Sequence, residues 1–245
     1  MKVAIVSDLH ANMEALESFP EECDELWVLG DLVTYGPNPA EVVDAVRKRA
    51  SLIVRGNHDH AAGAGEDPRC SEAFRSMAAA TLDFARAALG PEQKAWLASL
   101  PLTAERTIDG TRFLLCHAVP SDPLYAYCRP DSPRWQNEAA DLEADVVLVG
   151  HTHLPFMLQV GGRRVVNPGS LGQPKNGSAR AGYAVCENGK IELRSYEYPV
   201  EETVRKILAM PVPDDIRRRL ANVLRSGGDP NRNRTSKETS SCLKS

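Results

Sequence analysis

Lys2-Val3-Ala4-Ile5-Val6-Ser7-Asp8-Leu9-His10-Ala11-Asn12 opens this 245-residue chain. Four apolar residues run straight into a carboxylate and an imidazole two positions apart. A run this short, rich in Val and Ile, suits a strand buried on both faces. The pattern then repeats. Leu26-Trp27-Val28-Leu29 leads into Gly30-Asp31, and Leu52-Ile53-Val54 into Gly56-Asn57-His58-Asp59. Phe113-Leu114-Leu115-Cys116 leads into His117, and Val146-Val147-Leu148-Val149 into Gly150-His151-Thr152-His153. Of six histidines, five close such runs and only His60 stands outside. A chance scatter of histidines would not follow the strands in this way.

Helical patterns separate the first runs: 12–19, 39–49 with Pro39 in its first turn, a long one over 70–89, and 91–100. Strand–helix alternation of this kind implies an α/β layering. After Gly150 the character changes. Four short strand patterns, 156–160, 164–166, 182–186 and 190–196, are separated by glycine-bearing turns and predict a second, more antiparallel sheet. Two more helical patterns cover 200–210 and 214–224. From residue 226 the chain is Gly, Asp, Asn, Arg, Ser, Thr and Lys with almost no apolar residue, which predicts a disordered tail over 226–245 behind one domain of 1–225.

Composition removes several function classes. With 42% hydrophobic residues and a formal net charge of −4, the chain can bury a large core but offers no global attraction to nucleic acid or to an anionic membrane. The Arg217-Arg218-Arg219 run reads as a solvated helix face. No stretch approaches the roughly 18 apolar residues of a membrane span. The apolar run at the start is too short for a secretory signal, and the six cysteines are scattered without a C-x-x-C pair. A cytoplasmic protein with reduced thiols is therefore expected. Oligomeric state is not readable.

In an open α/β sheet ligands bind beyond the carboxyl ends of the strands, so one sheet edge could gather all five clusters. Asp8, His10, Asp31, Asn57, His117, His151 and His153 are oxygen and nitrogen donors suited to divalent metals. A carboxylate such as Asp31 can bridge, and seven donors with one bridge make eight bonds, enough for two ions with positions left open. Asn12 either faces this site or caps the helix that follows. His60 reads as a surface or capping residue. Asn167-Pro168-Gly169-Ser170 reads as a turn with a backbone role. The 172–182 loop, with Lys175 and Arg180, either meets a phosphate or is an ordinary basic loop.

The five motifs, in this order over residues 8–153, resemble the calcineurin-like metallophosphoesterase superfamily. The longer strings Ser7–Asn12 and Gly30–Pro37, with Asn167–Ser170, resemble its small bacterial and archaeal phosphodiesterase branch. The resemblance covers roughly residues 1–225. It implies a two-sheet sandwich of mixed sheets packed face to face and flanked by helices. It implies that Asp8, His10, Asp31 and His153 hold one metal and Asp31, Asn57, His117 and His151 a second. His58 would then face the substrate as the catalytic histidine, stabilising the transition state or protonating the leaving oxygen. Manganese is the first expectation for the pair, with iron, zinc, nickel or cobalt as alternatives. The implied reaction is hydrolysis of a phosphate ester, a small molecule or nucleotide, by direct attack of a metal-bound hydroxide.

The protein phosphatases of that superfamily carry an Asp and an Arg where this chain has Thr34 and Tyr35. This departure favours a phosphodiesterase over a phosphomonoesterase or protein phosphatase. Hydrolysis of dinucleoside polyphosphates is a further alternative. A non-catalytic metal-binding scaffold of the same fold is the alternative of another class, and it is disfavoured because all seven donors and His58 are present.

Overall fold

The computed structural model describes residues 1–140 and 142–228. The chain opens with β1 (Lys2–Val6), α1 (Met13–Glu17), β2 (Glu25–Val28), α2 (Pro39–Arg49), β3 (Leu52–Ile53) and α3 (Asn57–Ala64). Helices α4 (Glu72–Ala88) and α5 (Pro91–Ser99) follow, then β4 (Thr103–Ile108), β5 (Thr111–Cys116), α6 (Trp135–Ala140) and β6 (Val146–Leu148). The remainder is β7 (Pro155–Val160), β8 (Arg163–Pro168), β9 (Ala181–Glu187), β10 (Lys190–Tyr196), α7 (Val200–Leu208) and α8 (Asp214–Ser226).

Two five-stranded mixed sheets form, in the orders β10-β9-β1-β2-β3 and β4-β5-β6-β8-β7. The pairs β1–β2, β2–β3, β5–β6 and β6–β8 are parallel, and the other four are antiparallel. The apolar runs split by the two-residue period of a strand. Val3, Ile5, Trp27, Phe113, Leu115, Val146 and Leu148 meet in the layer between the sheets, where the rings of Trp27 and Phe113 pack edge to face at 5.3 Å. Ala4, Val6 and Val28 point the other way, onto α1, α2 and α5. Cys116, Val147 and Val149 pack outward against Trp135 and Ala139 of α6. Each fully buried aliphatic side chain contributes roughly 1.5–3 kcal/mol, so the runs are specified by both layers at once. Helices α4, α7 and α8 share a third cluster, around Met77, Ile207 and Leu220.

The sandwich is the expected architecture, but the chain builds it differently. The strands after Gly150 do not form a sheet of their own. Strands β7 and β8 complete the sheet of β5 and β6, while β9 and β10 return to pair antiparallel with β1. The five ligand-bearing runs are likewise shared, three in one sheet and two in the other. Three elements escaped the sequence reading. Strand β4 alternates too weakly, with most of its residues exposed. Helix α3 begins inside the Gly56-Asn57-His58 motif, and α6 is only six residues long. At the other end α8 runs through Ser226, the first residue of the expected tail, and is closed by Gly227 at a φ of 57°. The rest of that tail, 229–245, lies outside the described residues.

Candidate metal centre

The carboxyl ends of β1, β2, β5 and β6 meet at one edge of the sandwich. Asp8 N–H donates to Gly30 O at 3.0 Å, and Gly150 N–H donates to His117 O at 2.7 Å. His151 N–H reaches across the two sheets to Asp8 Oδ2 at 3.1 Å. The turns there are tight. Asp8, His10, Asp31, His151 and His153 all adopt positive φ, between 44° and 64°. L-residues seldom do so, and strain of this kind, about 1–3 kcal/mol per residue, persists where the surroundings over-determine the backbone. The turns also need glycine: a Cβ at Gly56 would collide with Asp31, and one at Gly30 with the backbone of Gly56.

Asp8, His10 and His153 converge in one group, and Asp31, His117 and His151 in another, the donor atoms of each lying within 4.8 Å of one another. His10 Nε2 and His153 Nε2 are 3.1 Å apart, and Asp8 Oδ1 is 3.3 Å from His153 Nε2. Asp31 Oδ2 lies 3.8 Å from His10 Nε2 and 3.2 Å from His117 Nε2, so one carboxylate faces both groups. Asn57 Oδ1 is 3.0 Å from His117 Nε2, and its Nδ2 donates to Pro68 O, which turns the carbonyl oxygen toward the centre. The structure thus brings together all seven expected ligands.

The donor set fits cations. His10, His117 and His153 each place Nδ1 against a backbone carbonyl, of Val33, Leu29 and Gln173, at 3.1, 2.7 and 2.6 Å. A carbonyl only accepts, so Nδ1 carries a proton in each, and in a neutral ring Nε2 then presents its lone pair to the centre. Asp8 Oδ1 is fully buried without a hydrogen-bond donor, which is costly unless a cation faces it. Burial keeps the imidazoles of His10 and His153 well below their usual pKa, and burial with help from His117 takes His151 down to about 3. All three are ready as neutral ligands. Burial opposes the charged form of His117 too, but Asp31 beside it overrides this and lifts His117 to about 9. Asp8 is pushed up to about 6 by burial, with Asp31 adding to it and His117 opposing.

His58 sits just outside both groups. Its backbone N–H donates to Asp31 Oδ1 at 2.9 Å. Nδ1 meets Thr34 Oγ1 at 2.8 Å, and Nε2 meets Cys70 Sγ at 3.3 Å. Tyr35 Oη donates to the same sulfur at 3.4 Å. Burial disfavours the imidazolium, but Cys70 and Asp31 outweigh burial and raise the His58 pKa without the missing carboxylate. The two departures, Thr34 and Tyr35, therefore both bear on His58, the second through a cysteine that no motif pointed to. Asp59 was also missed as a functional residue. Its carboxylate accepts from the N–H groups of Asp31 and Leu32, at 2.8 Å each, and of Gly56, at 3.1 Å, and so holds two ligand turns together.

Asn12 takes the capping role. Its Oδ1 accepts from Ala15 N–H and Thr203 Oγ1, and its Nδ2 donates to Gly172 O and Tyr198 Oη. It is buried and does not line the open cavity above the ligands. That cavity, of about 290 Å³, is walled by Asp31, Asn57, His58, His151 and His153 together with Arg69, Cys70, Phe74, Tyr125, Tyr127 and Lys175. Of the two basic residues of the 172–182 loop, Lys175 reaches it, whereas Arg180 turns away to Glu197 and Ser195. Asn167 holds the last ligand turn, donating to Gly150 O and Thr152 Oγ1, and Ser170 Oγ donates to Asp8 O. His60 lies apart, 3.3 Å from Glu66.

Comparison with known proteins agrees with this geometry. Residues 1–190 match the family model of the calcineurin-like phosphoesterase superfamily domain. The crystal structure of a metallophosphoesterase from Sphaerobacter thermophilus superimposes with a TM-score of 0.78 at 30% identity, over 93% of this chain and 99% of that one. An uncharacterized protein of Methanocaldococcus jannaschii, MJ0912, is 30% identical over 241 residues, 89% of this chain and 96% of that protein. Phosphodiesterase YfcE of Escherichia coli K12 is 26% identical over 206 residues, 77% of this chain and 88% of that protein. With its ligand motifs inside the matched region and its two sheets superimposable on a solved relative, the chain belongs to the calcineurin-like phosphoesterase superfamily and is a phosphoric ester hydrolase.

Proposed function

We propose that the chain hydrolyses phosphodiesters at a dinuclear metal centre. Asp8, His10, Asp31 and His153 would hold one ion, and Asp31, Asn57, His117 and His151 the other. The observation that carries this reading is the position of Asp31, whose Oδ2 faces a nitrogen of each ligand group. Two divalent cations held there would activate a water as nucleophile and offset the charge that grows on the phosphoryl group. Manganese is the first choice, since mixed N/O sites accept several metals and the occupant depends on supply. The protein residues do the rest. His58, fixed through Nδ1 by Thr34, offers Nε2 to the leaving oxygen as general acid.

The preference for a diester rests on Thr34 and Tyr35. Tyr35 is 3% exposed and its hydroxyl is turned to Cys70, so this position supplies no cation for the extra charge of a monoester. The name of YfcE, a phosphodiesterase, supports the same preference. We keep a nucleotide or other small phosphate ester as substrate and a cytoplasmic setting. Among the described residues, no helix is long and apolar enough to cross a membrane, and the five described cysteines are free.

The test compares an aryl phosphodiester with the matching monoester, using metal-stripped protein reloaded with manganese. Diester turnover should exceed monoester turnover, and Asp31→Asn should abolish both. Faster monoester turnover would reverse the preference. Two bound metals without turnover of either ester would favour the scaffold.

A further inference from the structure

Two cations line the cavity above the ligands, and each lies against an aromatic ring. Lys175 Nζ is 4.1 Å from the ring centroid of Phe74, and Arg69 Cζ is 4.3 Å from that of Tyr125. Their relation to the metal ligands differs. Lys175 Nζ is 3.4 Å from His153 Nε2. The rings behind it form a continuous chain of edge-to-face and tilted contacts. Phe74 packs on Tyr35 at 6.0 Å, and Tyr35 lies 4.8 Å from His10 and 4.9 Å from His58.

The contact between Lys175 and His153 is informative. His153 Nδ1 donates its proton to Gln173 O, so Nε2 has a single lone pair. That lone pair can accept from the ammonium or bind a cation, but not both. With a cation on His153, the ammonium must turn that N–H to another acceptor, and two positive charges then stand side by side. An anion between them resolves both problems, and a phosphoryl oxygen is the anion this site handles. A lysine supplies a compact charge with rotatable donors, which suits a single oxygen. Contact with the Phe74 face holds the side chain over the site.

We propose that Lys175 binds a non-bridging oxygen of the scissile phosphoryl group. In this chain the cation absent from position 35 is then supplied from the loop after β8, and the ring of Tyr35 becomes part of the platform that carries it. This assignment rests on the metallohydrolase reading above.

The experiment titrates inorganic phosphate into manganese-loaded protein by calorimetry, with manganese content measured for each variant. Wild type, Lys175→Met, Lys175→Gln, Lys175→Arg and Arg69→Met are compared. Loss of a charge-assisted hydrogen bond should weaken phosphate about 10- to 100-fold in the Met and Gln variants. Lys175→Arg should recover most of the affinity, and Arg69→Met should leave it within about twofold. With an aryl diester, KM should rise in Lys175→Met and Lys175→Gln more than kcat falls. Wild-type phosphate affinity in metal-replete Lys175→Met or Lys175→Gln would overturn the assignment, as would a loss confined to Arg69→Met or no phosphate binding by the wild type. Phosphate binding that depends on Lys175, in a protein that turns over no ester, would uphold the assignment while removing the hydrolase reading.

Discussion

His10 Nε2 and His153 Nε2 face each other at 3.1 Å, 143 positions apart in the chain. Each ring has its Nδ1 proton committed to a backbone carbonyl, so two lone pairs point at the same space. Both rings are buried and stacked, at 4.8 Å between centroids. Without a cation between them this arrangement is repulsive. The fold therefore holds the ligands in place at a cost that metal binding offsets.

Metal removal should accordingly lower the melting temperature, and manganese should restore it. Saturation at a hundred times Kd is worth about 2.7 kcal/mol, and each kcal/mol shifts Tm by about 2–4 °C in a domain of this size. An increase of about 5–10 °C is expected. His153→Ala should lose most of that increase, as read by a thermal scan with and without manganese. An equal increase in the variant would remove His153 from the ligand set.

His58→Asn should lower kcat by about 10²–10⁴, the range of a general acid. Manganese content should stay at the wild-type level, because the ring nitrogens of His58 meet Thr34 and Cys70 rather than the donor atoms of the two ligand groups. Elemental analysis beside the kinetics separates the roles. A parallel fall in bound metal would make His58 a ligand.

Asp59→Asn should destabilise the fold by about 1–3 kcal/mol, the penalty for leaving buried donors unsatisfied. The carboxylate accepts three backbone N–H groups, two of them on one oxygen, and an amide nitrogen in either place would set donor against donor. Burial and the nearby Asp31 already push Asp59 up to about 7, so the charged form is held at some expense. Urea unfolding measures the loss, and a midpoint equal to wild type would show that the ligand turns hold without Asp59.

Glu21 provides a pH test away from the metal centre. It accepts from Lys2 Nζ of β1, Tyr183 Oη of β9 and an Arg194 Nη of β10. The hydrogen bond from Lys2 is the largest influence, burial opposes it, and Arg194 and Tyr183 add to it, leaving Glu21 at about 2. The unfolded value is about 4.3. A depressed folded pKa contributes stability that is present above the unfolded value and lost as pH falls toward the folded one. Wild-type stability should therefore decline from about pH 4.5 to about pH 2, and Glu21→Gln should show a smaller part of that decline. Parallel urea midpoints for the two proteins across this window would dismiss the linkage.

The amino-acid sequence by itself determined the strand runs, the turns that end them and the chemistry of the donors. Apolar runs at strand length specify two buried faces, and Asp8-x-His10 and His151-x-His153 place paired donors on single turns. Those features are local, so they survive in a one-dimensional reading. Periodicity says that a face is buried but not what it is buried against. Only the tertiary structure decided that β9 and β10 return to β1 while β7 and β8 stay with β6. The grouping of donors, which the motifs implied only through resemblance, rests physically on tertiary contacts, because His10 meets His153 and Asn57 meets His117 across 143 and 60 residues. The partners of His58 follow the same rule. Thr34 follows the Gly30-Asp31 motif, whereas Cys70 precedes α4 and is brought to the imidazole by the packing of that helix beside Tyr35.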